Sequence, residues 1–200
     1  MCESATFARV VATTDFHPFY FMLRLLRLAL LLCCLCVPGA VCVAQMARLE
    51  VISSDQGLSQ GMIYDMLQDR RGFLWFGTRD GLNRYDGYNF QVYKNDPFNR
   101  FSISDNIIKT LVEDRHGRIW IGTESNGVDV FEIATGKFYH LSKGANGLPS
   151  QNINDLAETP DGAMWIATQN GLSRVLLPAE LPPQDPDLNS VALTTHYFWE

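Results

Sequence analysis

Three tryptophans, Trp75, Trp120 and Trp165, are separated by 45 and 45 residues, and nothing else in the chain restricts its fold as strongly. Gly72, Gly117 and Gly162 keep the same spacing, as do Thr78, Thr123 and Thr168. The copies read LSQGMIYDMLQDRRGFLWFGTRDGLNRY from Leu58, ISDNIIKTLVEDRHGRIWIGTESNGVDVF from Ile103 and LPSQNINDLAETPDGAMWIATQNGLSRV from Leu148, with one extra residue before Gly127. A fixed period of this size marks a solenoid, an array or a propeller. Each copy breaks into short β-type runs, in the first MIYDML, FLWFGT, LNRYD and FQVYKN, parted by the turn signals DRRG, RDG and DGYN. Four strands in about 45 residues is the size of one propeller blade, and no copy holds the two long 3.6-period runs of a helical solenoid. The predicted fold class is all-β, with four-stranded antiparallel blades, about three of them, in an incomplete propeller. The repeats run about 58–102, 103–147 and 148–200.

The conserved-type positions within the copies have structural explanations. Asp69 and Asp114 precede the turn glycines and suit Asx capping of backbone N–H groups. Gly72, Gly117 and Gly162 supply the positive φ such a turn needs. The tryptophan three residues later is large enough to wedge between neighbouring blades. Gly77-Thr78 and Gly122-Thr123 permit close strand approach near a bend. In the third copy Thr159 stands for the aspartate, Ala167 for the glycine, and Asp161 precedes Gly162, so a different cap is expected there.

Viewed alone, EDRHGRIWIGTESNGVDVF resembles an active site. His116, however, fills a slot held by Arg71 and Asp161 in the other copies, which predicts an exposed turn residue. The histidines (His17, His116, His140, His196) form no HxH or HxxH pair, and no phosphate loop or G-x-S-x-G elbow occurs. No catalytic residue, metal ligand or cofactor is expected. The polar segments GLSQGM, SISDNI and LPSQNI recur at one rim. They suit either sugar hydroxyls or strand-leading turns, and the turn reading is favoured.

All five cysteines lie within the first 42 residues, so no disulfide framework or cysteine metal site is available beyond them. They coincide with a leader: Arg24 and Arg27, an apolar run from Leu28 to Val37, Pro38-Gly39, and small residues before a cut between Ala44 and Gln45. This is the layout of a secretory signal peptide, and the run is short for a membrane-spanning helix. Residues 1–21 carry acids and a proline ahead of the basic region and read as a mis-assigned start extension. The predicted organisation is 1–21 extension, 22–44 signal peptide and 45–200 partial propeller. Residues 45–200 hold 13 basic and 20 acidic side chains, a formal charge of −7, which disfavours nucleic acid as a partner. Membrane contact is expected only through the signal segment.

The motifs DRRGFLWFGTRDGLNRYDGYNF and EDRHGRIWIGTESNGVDVF, with the lead-in SDQGLSQGMIYDMLQD and the link YKNDPFNRFSISDNII, closely resemble the two-component regulator propeller repeat from about Leu49 to Val175. The resemblance implies an exported sensor on the periplasmic side of a bacterial inner membrane. Its output would be a histidine kinase, often hybrid, or a diguanylate cyclase, and it could dimerise in its full-length context. The ligand implied is an extracellular small molecule or oligosaccharide. This chain lacks the output motifs, and three blades are fewer than the four to eight of closed propellers, so a fragment is expected. A propeller-type lyase or quinoprotein and a protein-binding scaffold are the alternatives. The first would need a paired His-Glu set or cofactor-docking motif, the second Gly-His and Trp-Asp dipeptides, and none of these is present. After Val175 a proline-rich stretch, LLPAELPPQDPDLNS, reads as a loop, and VALTTHYFWE as the outer strand of blade three. ARLEVISS aligns with the outer strands and reads as the kind of leading strand that closes a ring, with the blade it would complete missing here. Incomplete burial between blades predicts poor solubility and weak cooperativity for the isolated chain, which a sharp two-state melt of a monomer would contradict.

Overall fold

The computed structural model describes residues 22–29 and 51–197. Residues 22–29 form an exposed helix in an N-terminal unit, Met1–Leu49, and a second unit spans Glu50–Glu200. The expected start extension, most of the apolar leader run, every cysteine and the Ala44/Gln45 cleavage site lie outside the described residues. No described helix is long and apolar enough to cross a membrane.

The second unit contains three four-stranded antiparallel sheets, consecutive in sequence and each wound as a meander. Blade one is β1 (Ile63–Gln68), β2 (Leu74–Thr78), β3 (Gly81–Tyr85) and β4 (Phe90–Tyr93). Blade two is β5 (Ile108–Glu113), β6 (Ile119–Thr123), β7 (Val128–Glu132) and β8 (Lys137–Leu141). Blade three is β9 (Ile153–Glu158), β10 (Met164–Thr168), β11 (Gly171–Leu176) and β12 (Leu193–Tyr197). The arrangement is that of incomplete propeller blades, with β5 packed against both β1 and β9, the first strands of its neighbours. VALTTHYFWE supplies β12, which pairs with β11 from Leu172↔Tyr197 to Leu176↔Leu193. Of ARLEVISS, residues 51–54 are described. Val51–Ser53 join no strand, and the chain then turns through a 3-10 helix, Ser54–Gln56, closed by Gly57 in the left-handed region. A capping box through Ser53 and Gln56 favours that turn over extended backbone.

Each first strand contains a bulge at the same repeat position. The register to the second strand skips Tyr64 in β1, Lys109 in β5 and Asn154 in β9. Such a bulge re-aims the skipped residue and increases the local twist.

The core lies between blades rather than within one. Trp75 and Leu82 of blade one meet Ile103, Ile108, Leu111, Ile119, Ile121, Phe131 and Phe138 of blade two. On the other side of blade two, Trp120, Val128, Val130, Tyr139 and Leu141 meet Leu148, Ile153, Leu156, Met164, Ile166 and Val175. The alternation of β6 explains this: Ile119 and Ile121 serve one seam and Trp120 the other, so IWIGT is buried throughout. The outer face of β1 has no such cover, and Ile63 and Met66 are 42% and 71% exposed.

Glycine sets the spacing at both seams. A Cβ on Gly77 would lie 2.9 Å from Ile108 Cγ2. One on Gly122 would lie 2.5 Å from Thr110 Cγ2 and 2.7 Å from Ile153 Cγ2. Ile108 and Ile153 are fully buried, and each contributes about 1.5–3 kcal/mol of apolar burial. Gly122→Val is therefore expected to destabilise the protein by about 1–3 kcal/mol through overpacking. Gly61→Ala, placed in open space, is expected to stay within about 0.5 kcal/mol of the parent. Urea unfolding midpoints of the two variants check this.

Candidate functional site: the repeated turn and the polar rim

The turn between the first and second strands uses its aspartate three ways. Gly72 and Gly117 adopt φ of 91° and 77°, which closes the turn and points the following N–H groups back at the carboxylate. Asp69 Oδ1 accepts from the N–H groups of Arg71 and Phe73, and Oδ2 accepts from Trp75 Nε1 at 2.8 Å. Asp114 Oδ1 accepts from His116 and Arg118 N–H, and Oδ2 from Trp120 Nε1 at 2.9 Å. Asp114 also takes Arg118 Nε at 2.6 Å, with both side chains buried. These carboxylates are saturated by structural donors. His116 sits exposed in the turn.

Blade three builds the turn from other parts. Gly162 keeps φ at 88°, but the Thr159 hydroxyl donates to Asp161 and to the Ala163 carbonyl. Asp161 in turn accepts from Ala163 N–H and Arg174. The Thr159 hydroxyl, then Arg174, hold the Asp161 carboxyl well below the usual carboxylate range. Trp165 has no carboxylate partner among the described residues and stacks on Tyr197 at 5.4 Å.

The threonines after the tryptophans act at the opposite hairpin. Thr78, Thr123 and Thr168 each donate Oγ1 to a glycine carbonyl (Gly81, Gly127, Gly171) at 2.8 Å. The same oxygens accept from Asp80, Asn126 and Asn170 N–H. The polar rim segments are similarly occupied. Ser59 bonds Asn83 through both its N–H and hydroxyl, Ser104 bonds Asp129 likewise, and Ser150 Oγ accepts from Asn152 N–H. Asp105 accepts from Ser125.

Two constellations escaped the sequence reading. The first is a clasp between successive turns. Arg70 N–H donates to Glu113 and its guanidinium to the Arg115 carbonyl. One blade later, Arg115 N–H and Nε donate to Glu158 and Nη2 to the Thr159 and Pro160 carbonyls. Identical residue types at the 45-residue offset were the available signal. The second joins blade two to its flanking loops. Asp129 is fully buried, and its Oδ1 lies 2.7 Å from His140 Nδ1. His140 Nε2 lies 3.0 Å from the Arg100 carbonyl. Acceptors face both ring nitrogens, an arrangement that only the imidazolium satisfies fully. Burial works to lower the His140 pKa, but the Asp129 carboxylate and the Arg100 carbonyl outweigh it, and the net shift is upward.

Three segments, 57–80, 102–125 and 147–170, match the profile of the two component regulator propeller. The chain carries three two-component regulator propeller repeats. Over 48 residues it is 54% identical to histidine kinase P4 of Formosa agariphila, a match covering 24% of this chain and 4% of that protein. The extracellular domain of a hybrid two component system from B. thetaiotaomicron superposes with a TM-score of 0.63 at 23% identity, over 74% of this chain and 20% of that one, a likeness of fold. Virginiamycin B lyase from Staphylococcus aureus gives a TM-score of 0.45 at 18% identity, over 67% of this chain and 40% of that one. The chain thus spans a small part of these relatives.

Two outcomes follow from the geometry. Asp114→Ala strands the buried Arg118 guanidinium and is expected to cost about 3–5 kcal/mol, against about 1–3 kcal/mol for Asp69→Ala, which strands only uncharged donors. Equilibrium unfolding followed by tryptophan fluorescence compares the two. Because the folded pKa of His140 is raised, its stabilisation is complete below about pH 6.5 and is lost as pH rises through the folded value. The urea midpoint is expected to fall across that window in the parent, and His140→Gln is expected to flatten this component.

Proposed function

We propose that this chain is part of the sensory propeller region of an exported two-component-type regulator, on the periplasmic side of a bacterial inner membrane, and that it binds an extracellular ligand such as a glycan without catalysing a reaction. The observation that carries the reading is the coincidence of three repeat matches with three successive blades. The leader-like segment ahead of the blades supports export. The histidine kinase relative supports a signalling context. The chemistry of the turns supports a binding role over an enzymatic one, since the repeated carboxylates are committed to backbone N–H, indole and guanidinium donors.

The genomic reading frame across codon 200 tests the signalling part. Further blades followed by a membrane segment and a kinase or cyclase module are expected. A locus with no such module, even after correction of frameshifts, overturns the regulator reading. Alkaline phosphatase fused after Glu200 tests export separately. Active enzyme outside the cytoplasm is expected, and an inactive cytoplasmic fusion counts against it.

A further inference from the structure

Two long connections meet at the outer edge of blade two. The loops joining third to fourth strands are four residues long in blades one and two (86–89 and 133–136) but sixteen residues long in blade three (177–192). Loops of this length inside compact folds tend to be functional. This one runs back over β8 and buries Leu188 in the core between blades two and three. Asp187 forms a parallel bridge with His140, whose N–H donates to the Pro186 carbonyl and whose carbonyl accepts from Leu188 N–H. The connection from blade one to blade two, residues 94–107, reaches the same strand, where Phe138 N–H donates to the Phe101 carbonyl. Arg100 Nη2 and Asp185 Oδ1, 2.9 Å apart, tie the two connections to each other.

The His140 ring stands at this junction. Nδ1 lies 2.7 Å from Asp129 Oδ1, and Nε2 lies 3.0 Å from the Arg100 carbonyl. Asp129 is fully buried, and its other oxygen already accepts from the N–H and hydroxyl of Ser104. A buried carboxylate holds its donor strongly, so the ring keeps a proton on Nδ1. The Nε2 proton is then the one that leaves to solvent, and 23% of the side chain is open to it. Its loss removes a donor from the Arg100 carbonyl and sets a nitrogen lone pair against an oxygen lone pair at 3.0 Å. The matching positions in the other blades lack this pair. Val92 faces Asn83 in blade one, and His196 faces the Ser173 hydroxyl in blade three.

From this the geometry points to a proton-operated latch: the His140 imidazolium joins the 94–107 connection to the blade-three insertion, and loss of its Nε2 proton releases both from β8. Because Arg100 is bonded to Asp185, displacement of its backbone pulls on the insertion tip. The charged groups on the elements around the ring are Asp129 of β7, Lys137 of β8, Arg100 of the connection, and Asp185 and Asp187 of the insertion. Arg100 and Asp185 neutralise each other, and Lys137 turns its ammonium to the Phe101 ring and the Pro183 carbonyl. Asp129 and Asp187 remain to favour a cation on the ring. Burial opposes that charge, but these carboxylates and the Arg100 carbonyl outweigh it, so His140 holds its proton above the usual imidazole range. The latch is therefore closed below about pH 6.5, the value of a free imidazole, and opens as pH rises through the folded value. It needs only groups within this chain and is independent of export or of any ligand.

Amide hydrogen exchange of the full chain, resolved by residue from about pH 5.5 to about pH 8.5, tests the latch. Phe138 N–H reports the connection, and His140 and Leu188 N–H report the insertion. Once corrected for intrinsic exchange, their protection is expected to fall by up to about tenfold per pH unit between about pH 6.5 and the folded value. It is expected to depend little on dilute urea, as a local opening does, whereas the β2–β3 hairpin stays better protected and exchanges through urea-sensitive unfolding. His140→Gln is expected to remove the pH dependence at the three positions. Nitrogen NMR of the His140 ring in the parent protein is a second readout that needs no variant. More than half of the rings are expected to carry both protons at about pH 6.5, where a free imidazole is half neutral, and a mostly neutral ring there overturns the latch. Protection that ignores pH in the parent also overturns it. So does protection equal to that of the β2–β3 hairpin at every pH, because titration then acts only through global unfolding. Loss of protection at Phe138 with His140 and Leu188 unchanged overturns the coupling between the two connections.

Discussion

The architecture depends on a contact that has no side chain on one side. At each seam a β-branched residue from the first strand of one blade presses onto a glycine in the second strand of the blade before it, Ile108 on Gly77 and Ile153 on Gly122. A methyl group on either glycine would overlap the isoleucine, so the glycine sets how closely the sheets approach. That spacing lets Trp75 reach Phe131 of the next blade, with ring centroids 5.6 Å apart. It also brings Leu111 N–H to 2.7 Å from Asp65, bonding first strands of different sheets. The glycine gap and the buried tryptophan recur at both seams, while the hydrogen bond changes: at the second seam Thr110 Oγ1 donates across to Asp155, and Leu156 N–H bonds Asp155 within its own strand.

The turn aspartate serves that packing. By holding the indole N–H, it fixes the ring orientation of a tryptophan whose apolar body faces the neighbour. Blade three shows what changes without it. With Thr159 in the aspartate position, no indole–carboxylate bond forms among the described residues; Trp165 keeps the own-sheet tyrosine stack, on Tyr197 as Trp75 on Tyr93, but it is only partly buried because no described blade covers its other face. The same blade carries the long insertion, which covers the outer strand of blade two. Its variation is concentrated where the repeat's own packing rules are relaxed.

Much of the fold was legible because the repeated residues do local work. Runs such as FLWFGT and LNRYD alternate and end at turn residues, and they became β2 and β3 nearly as read. VALTTHYFWE, cut off from its sheet by a proline-rich loop, was still recognisable as a strand. The indole–carboxylate bond was not, since Asp69 and Trp75 look independent until the hairpin folds one over the other. His140 and Asp129 meet through the β7–β8 register, which pairs them directly but leaves no mark in either strand's composition. The bulges at Tyr64, Lys109 and Asn154 were invisible because three unlike side chains occupy them.

The arginine clasps give the stack a direction. Each arginine reaches forward, from the turn of one blade to the glutamate and carbonyls of the next, never backward. The series opens where Gln68 holds the place of Glu113 and Glu158, and it closes where Pro160 holds the place of Arg70 and Arg115. A latch with this polarity suits a chain emerging from its N-terminus, since every new blade arrives at a hook already in position. It also makes the far edge of blade three chemically unlike the two seams before it: any sheet seated there meets alanine instead of glycine and finds no arginine waiting.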